Sequence, residues 1–240
     1  MLELVIHGCQ GKMGQAVTAA AAAYPELNIG YGIDRNPTAT HTYPVYPSID
    51  SAPGGGDVII DFSSHEAIPA LLDYALKFKI PVVLASTGIT PEEQRAIDKA
   101  SGTIPLFQSP NFSGGINLLA ACLEMLMPVL EPDFDVAITD KHHKEKKDSP
   151  SGTALLLAKA AQEASHNGGT VQVDALRIGT IPGEHTVIFA GPDEIIELKH
   201  TAYSRDVFAQ GALKAASYLA DKPPGKYGMK DLIAQQTGKE

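Results

Sequence analysis

Cysteine is scarce. Cys9 and Cys122 are the only two in 240 residues. Two thiols make no disulfide framework, and neither sits in a CxxC pair that would suggest structural zinc. Cys9 falls in a glycine-rich turn and Cys122 in a helical run, so both are expected as free thiols of a reducing compartment. Long apolar stretches are missing as well. The longest, Ile116 to Leu130, contains Asn117 and Glu124 and is too short to span a bilayer. The chain opens directly on a strand pattern with no leader-like segment, so a cytoplasmic location is expected and no membrane partner. Positive charge is in deficit: 19 Lys and Arg against 28 Asp and Glu give a net charge of −9. That balance argues against general nucleic-acid binding. There are no internal repeats, and no low-complexity segment beyond an alanine run. The composition, 44% hydrophobic and 20% charged, is that of an ordinary globular protein long enough for one large or two modest domains.

Against this acidic background the basic cluster from Lys141 to Lys147 needs its own explanation. It contains His142 and His143 and leads into Asp148-Ser149-Pro150-Ser151-Gly152-Thr153. Ser149 is a suitable helix cap and Pro150 a suitable first helical residue, with Ala154 to Ala161 continuing the helix. The backbone N–H groups of Ser151, Gly152 and Thr153 would then point outward beside Lys146. Such a place suits a carboxylate or phosphate, and a neighbouring histidine can donate a proton. An anion cradle beside a proton donor suggests catalysis on an acidic substrate. The bland readings are a surface histidine pair or a metal site. No HExxH spacing accompanies the pair, which counts against zinc. Lys141, Lys144 and Lys147 read as a solvated face.

The N-terminus carries a second signal. Leu2 to His7 reads as a strand, Gly8-Cys9-Gln10-Gly11-Lys12-Met13-Gly14 as a glycine turn, and Gln15 to Ala23 as a helix that stops at Tyr24-Pro25. Strand, glycine turn and helix together form a dinucleotide-phosphate site, here spaced GxxGxxG because Gln10 stands where a second glycine is usual. Asn28 to Ile33 reads as the next strand. Asp34 follows it, about twenty residues after the loop, where an acid can accept hydrogen bonds from an adenosine ribose; a plain turn residue is the alternative. Further strands at 57–62, 81–86 and 104–107 alternate with helical segments at 65–79 and 90–100. This predicts an α/β fold, a Rossmann-type doubly wound parallel sheet. Ligands of such sheets lie beyond the carboxyl ends of the strands. The segments there are Gly8 to Gly14, Asp34-Arg35, Phe62-Ser63-Ser64, Ser86-Thr87-Gly88 and Ser109-Pro110-Asn111-Phe112. Asp61 reads as ordering a strand end. His7, His41, His65, His166 and His200 suggest no function.

After Asn111 the pattern changes. A long helix near 115–127 leads to a strand at 135–139, the His/Lys segment and its helix, then strands at 170–177, 185–190 and 194–202 joined by short turns. This predicts a second α+β domain on a mostly antiparallel or mixed sheet. The expected division is a dinucleotide-binding domain over 1–111, rejoined by a last helix and tail over 205–240, and a second domain over 112–204.

The motifs Gly8-x-x-Gly11-x-Met13-Gly14, Asp61-Phe62-Ser63, Ser86-Thr87-Gly88, Pro110-Asn111-Phe112-Ser113 and His142-His143-x-x-Lys146-x-Asp148-x-Pro150-Ser151-Gly152-Thr153-Ala154, with Arg177 and Gly183-Glu184-His185-Thr186, occur in that order along nearly the whole chain. In this the chain resembles the 4-hydroxy-tetrahydrodipicolinate reductase (dihydrodipicolinate reductase) family of lysine biosynthesis. The resemblance implies hydride transfer from NADH or NADPH to a cyclic imine dicarboxylate, and a substrate domain that also assembles a homotetramer. It implies His142 as the acid and Lys146 as its cationic partner, with His143, Lys146, Gly152 and Thr153 around the substrate, joined by Ser151 from the anion cradle. It implies cofactor contacts from Gly8, Cys9, Gln10, Gly11, Lys12, Met13, Asp34, Arg35, Ser86, Thr87, Gly88, Ser109, Pro110, Asn111 and Phe112. From the ligand spacing no metal is expected. Asp34 favours NADH, while Arg35 and Lys12 can attract a 2′-phosphate, so both cofactors are expected with a mild NADH preference. A related amino- or keto-acid dehydrogenase and a non-catalytic NAD(P)H sensor are the alternatives. The sensor would not need His142 and Lys146 beside an anion site.

Overall fold

The structure is a computed structural model that describes residues 1–37, 41–166, 168 and 171–238. It divides into two compact units, one of Met1–Phe112 with Arg205–Glu240, the other of Ser113–Ser204.

In the first unit β1 (Leu2–His7), α1 (Lys12–Ala21), β2 (Leu27–Ile33), β3 (Val45–Tyr46), β4 (Val58–Asp61), α2 (Ile68–Phe78), β5 (Val82–Leu84), α3 (Pro91–Ala100) and β6 (Pro105–Gln108) alternate as the hydrophobic pattern requires. Residues Val58 to Asp61 and Val82 to Leu84 are buried throughout. Strands covered on both faces show such continuous runs rather than alternation. Helix α3 begins as its sequence reads: the Thr90 hydroxyl accepts from the Glu93 N–H and the Glu93 carboxylate accepts from the Thr90 N–H, with Pro91 between them.

After the second unit come α6 (Asp206–Leu219), β11 (Gly225–Tyr227) and α7 (Met229–Thr237). The seven strands run parallel in the order β11-β6-β5-β4-β1-β2-β3. Helix α6 joins the first unit because Ala209, Ala212, Leu213, Ala216 and Leu219 pack with Leu4, Ile6, Val17 and Phe107 on one face of the sheet. On the other face Ile68, Leu71, Ala75 and Ile97 pack with Val5, Ile59 and Leu84. The segment read as a tail near Pro223-Pro224-Gly225 instead leads into edge strand β11 and then α7. Three residues are too short to show a period, so this strand left no pattern to read, and the same holds for two-residue β3.

The second unit contains α4 (Gly114–Leu130), β7 (Asp135–His142), α5 (Gly152–Ala164), β8 (Gln172–Arg177), β9 (Glu184–Ala190) and β10 (Ile195–Thr201). The sheet order is β10-β9-β7-β8, antiparallel except for the β7–β8 pair, hence mixed. Ile116, Leu119 and Leu123 of α4 and Ala154, Leu157 and Ala161 of α5 cover one face, over Ile138, Val187 and Phe189. Alternation along the strands sends Glu197 and Lys199 to the opposite face, where they are exposed.

Two sequence expectations change here. Strand β7 runs three residues past Thr139, because Asp140 and Lys141 continue the ladders to β8 and β9 and His142 continues that to β8. Helix α5 is capped by Ser151, not Ser149. Ser151 is extended and its hydroxyl accepts from the Ala154 N–H at 3.2 Å, so Pro150 precedes the cap and Gly152 is the first helical residue. Both Ser149 and Ser151 suit a cap chemically, and only the course of the backbone distinguishes them.

Candidate active site

The residues of interest in the second unit gather at one end of its sheet. Side chains two apart on a strand share a face, so Asp140 and His142 of β7 point to the side that carries α5. The register then pairs Asp140 with His185 on β9, His185 with His200 on β10, and His142 with Arg177 on β8. Three strands and the N-terminus of α5 thus converge on one carboxylate, with His200 of β10 next to His185.

Asp140 is fully buried. Its Oδ2 accepts from the Ser151 N–H at 2.7 Å and from the Arg177 guanidinium at 2.9 Å. Its Oδ1 lies 2.8 Å from His142 Nδ1 and 3.4 Å from His185 Nε2. His185 Nε2 is also 3.1 Å from the Ser151 hydroxyl. Arg177 reaches further, donating to the Asp148 carbonyl at 2.7 Å and so fixing the loop that follows β7.

Burial alone would raise the Asp140 carboxyl. Arg177 and Ser151 outweigh it and hold the group below the usual carboxylate range. Burial lowers His142 below the ordinary imidazole value; the Asp140 charge opposes this, while Lys146 and Arg177 add to it. Burial takes His185 down to about 4 and also lowers His200. Asp140, His142 and His185 bring ligand-type atoms within 4.8 Å of one another. Arg177 on Oδ2 and the nearby charge of Lys146 make the spot unfavourable for a divalent cation.

Lys146 forms an ion pair with Asp148 at 2.8 Å, and His143 is half-buried beside it in sequence. Gly152 is exposed at the start of α5, with open space where a side chain would stand. Ser151 departs from expectation: its N–H is turned inward onto Asp140 rather than outward, so the outward-facing part of the cradle begins at Gly152. Asp140 carried no functional expectation from the sequence. The signal that would have found it is the Asp-x-His spacing on a strand. His185 and Arg177 entered only through the family resemblance, and His200 suggested nothing.

The first unit presents a cavity of about 620 Å³ at the carboxyl ends of its strands, lined by residues that include His7, Gly8, Gly11, Asp34, Arg35 and Ser63. It lies where the chain turns from β1 to either side of the sheet, the usual ligand position in such folds. Gly8 has φ +80, and a side chain there would run into the Phe62 carbonyl. A Cβ at Gly14 would come within 2.2 Å of the Gly8 carbonyl, so glycine allows α1 to pack against the turn. Asp34 is held at the cavity by accepting from the Gln10 and Asn36 N–H groups at 3.0 and 3.1 Å. Cys9 is buried behind the turn, and burial pushes its thiol up to about 11, which makes it inert packing.

Ser86, Thr87, Gly88 and Ser109 to Phe112 do not line this cavity. Ser86 donates to Asp61 at 2.5 Å, Ser109 donates to the Asn111 carbonyl at 2.8 Å, and Phe112 is in the core. Asp61 also meets His7 Nδ1 at 2.9 Å and the Ser63 hydroxyl at 2.6 Å, which orders the ends of β1, β4 and β5.

The sequence matches the family model for the N-terminus of dihydrodipicolinate reductase over residues 2–112 and that for its C-terminus over residues 115–233. The chain belongs to the dihydrodipicolinate reductase family. Among relatives, it is 45% identical to the 4-hydroxy-tetrahydrodipicolinate reductase of Caldanaerobacter subterraneus subsp. tengcongensis, over 97% of this chain and 98% of the relative. It is 42% identical to that of Clostridium perfringens (strain SM101 / Type A), with the same coverage. The fold is shared with a dipicolinate-bound dihydrodipicolinate reductase from Paenisporosarcina sp. TG-14, at a TM-score of 0.85 and 20% identity, covering 96% of this chain and 99% of that one. Membership makes the protein an NAD(P)H-dependent oxidoreductase. No helix among the described residues is long and apolar enough to cross a membrane.

The buried histidines have a consequence for stability. His185 has a folded value of about 4 against an ordinary 6.5, so its neutral form favours folding above pH 6.5 and this contribution is lost as pH falls toward 4. The loss is roughly 3 kcal/mol at full effect. Thermal unfolding of His185→Gln followed from pH 7 to pH 4 should fall less steeply than that of the unmodified protein; parallel curves would contradict the assignment.

Proposed function

We propose that the chain reduces 4-hydroxy-tetrahydrodipicolinate, as such or in its dehydrated dihydrodipicolinate form, to tetrahydrodipicolinate on the diaminopimelate route to lysine. The observation that carries the reading is the buried Asp140–His142 pair beside the N-terminus of α5, in a chain of this family. The first unit serves as the dinucleotide-binding domain and the second as the substrate and assembly domain.

Gly8 to Met13 and the start of α1 would hold the pyrophosphate, with Asp34 and Arg35 at the adenosine ribose. The cavity, the positive φ at Gly8 and the place of Asp34 in the cavity wall fit a dinucleotide there. When bound, the nicotinamide supplies the hydride. Addition of hydride to a conjugated imine leaves an enamine-like anion. His142 delivers the proton that neutralises it, as a general acid. Substrate carboxylates are held by Lys146, by His143 and by the N–H groups of Gly152 and Thr153, where the helix dipole favours negative charge. Lys146 then exchanges or shares its ion pair with Asp148. Two free cysteines, one of them buried, suit a reducing cytoplasm.

The expected effect of His142→Gln is a fall in turnover of roughly a hundred- to ten-thousand-fold, with NADH affinity kept. Lys146→Ala should lower turnover and raise the KM for the imine. Near-normal turnover of His142→Gln would sink the acid assignment.

Both cofactors should work, with NADH mildly preferred, because Asp34 opposes a 2′-phosphate while Arg35 and Lys12 attract it. Fluorescence titration should show Arg35→Ala weakening NADPH more than NADH, and Asp34→Ala doing the reverse. A strong NADPH preference in the unmodified protein would count against this balance.

The exposed sheet face of the second unit aligns Lys141, Glu184 and Lys199 as ion pairs of 2.9 and 2.7 Å around Glu184, with exposed Ile195 and Leu176 on neighbouring strands. A mixed polar and apolar face of this kind suits pairing with further copies, and a closed homotetramer is expected. Light scattering should give a mass four times 25.4 kDa at micromolar concentration; a stable monomer would rule this out.

A further inference from the structure

We infer that Asp140 is a positioning residue that couples proton delivery to substrate binding, one carboxylate oxygen setting the ring of His142 and the other holding the first turn of α5. This rests on the reading of His142 as the acid. Oδ1 lies 2.8 Å from His142 Nδ1. The contact is a close ion-pair approach rather than an aligned hydrogen bond. A bare Nδ1 lone pair would still be repelled by the carboxylate at that separation, so Nδ1 carries the hydrogen and the transferable proton sits on Nε2. Nε2 lies on the side of Gly183, where a Cβ would come within 3.1 Å, so the missing side chain keeps this nitrogen approachable. Oδ2 accepts from the Ser151 N–H, the residue that caps α5 immediately before Gly152 and Thr153. A shift of the carboxylate therefore moves the acid and the cradle together.

The charges around His142 explain why a carboxylate is required. Asp140 faces it from its own strand, Arg177 from β8, His185 from β9 and Lys146 from the following loop. Of these four only Asp140 is an anion. Burial, Arg177 and Lys146 all favour the neutral ring, and the Asp140 charge is what keeps the acid form accessible. Arg177 has the opposite effect on His142 while anchoring Asp140, so the two residues should move the pH dependence in opposite directions.

Asp140→Asn keeps the size and an acceptor for Ser151 but removes the charge. The pH profile of kcat, which falls as the acid loses its proton, should move its descending limb to lower pH by about one unit, a tenfold loss at any pH above the limb. KM for the imine should rise and NADH affinity should stay unchanged. Asp140→Glu should recover part of the shift. A folded Asp140→Asn protein with an unmoved limb, or with only a uniform loss of thermal stability, overturns the inference while leaving the acid assignment intact. Near-normal turnover of His142→Gln would instead remove the reading beneath it. If Asp140→Asn fails to fold, Arg177→Gln decides: the limb should move to higher pH, and an unmoved or lowered limb overturns the coupling.

Discussion

A carboxylate fully removed from water is costly unless each oxygen is satisfied. At Asp140 this requirement organises the second unit. The guanidinium of Arg177 from β8 and the N–H of Ser151 at the start of α5 donate to Oδ2, and the imidazoles of His142 and His185 from β7 and β9 approach Oδ1 at ion-pair distance. Each partner belongs to a different element or a different turn of chain. Their convergence sets where the His142 ring points, where the helix begins and, through the bond from Arg177 to the Asp148 carbonyl, how the Lys146 loop leaves the strand. Three of the histidines at this end of the sheet are held toward their neutral forms by burial. A proton placed there is therefore readily given up, provided one carboxylate keeps it available.

The first unit uses the same device at a different site. Asp61, also fully buried, gathers His7, Ser63 and Ser86 at the ends of three parallel strands. Asp34 performs a related task at the surface, where its two oxygens tie the glycine turn to the end of β2. In both units a carboxylate at a strand end fixes the loops that follow the strands.

The nucleotide fold was legible because its signals are local. A buried strand, a glycine turn and an alanine-rich helix occupy about twenty consecutive residues, and Thr90-Pro91-Glu92-Glu93 announces its helix without tertiary help. His142, Lys146 and Gly152 were legible for the same reason, lying within eleven residues of one another. Asp140 was not, because what makes it special is distant: Arg177 and His185 lie 37 and 45 positions away and meet it only through the strand register. Short β3 and β11 carried no period, and the placement of the α5 cap two residues late depends on Ser151 serving Asp140 and Ala154 at once. What sequence alone conveyed poorly was therefore not which groups are present but which of them are already committed to each other.

Nitrogen-15 NMR of the histidine rings in the unmodified protein tests the central claim most directly. With Asp140 facing Nδ1, His142 should be neutral at high pH as the Nδ1–H tautomer and gain its second proton on Nε2, while His185 stays neutral until pH approaches about 4. A neutral His142 with its hydrogen on Nε2, or a His185 that titrates near 6.5, would contradict the account of a carboxylate that sets the acid from behind.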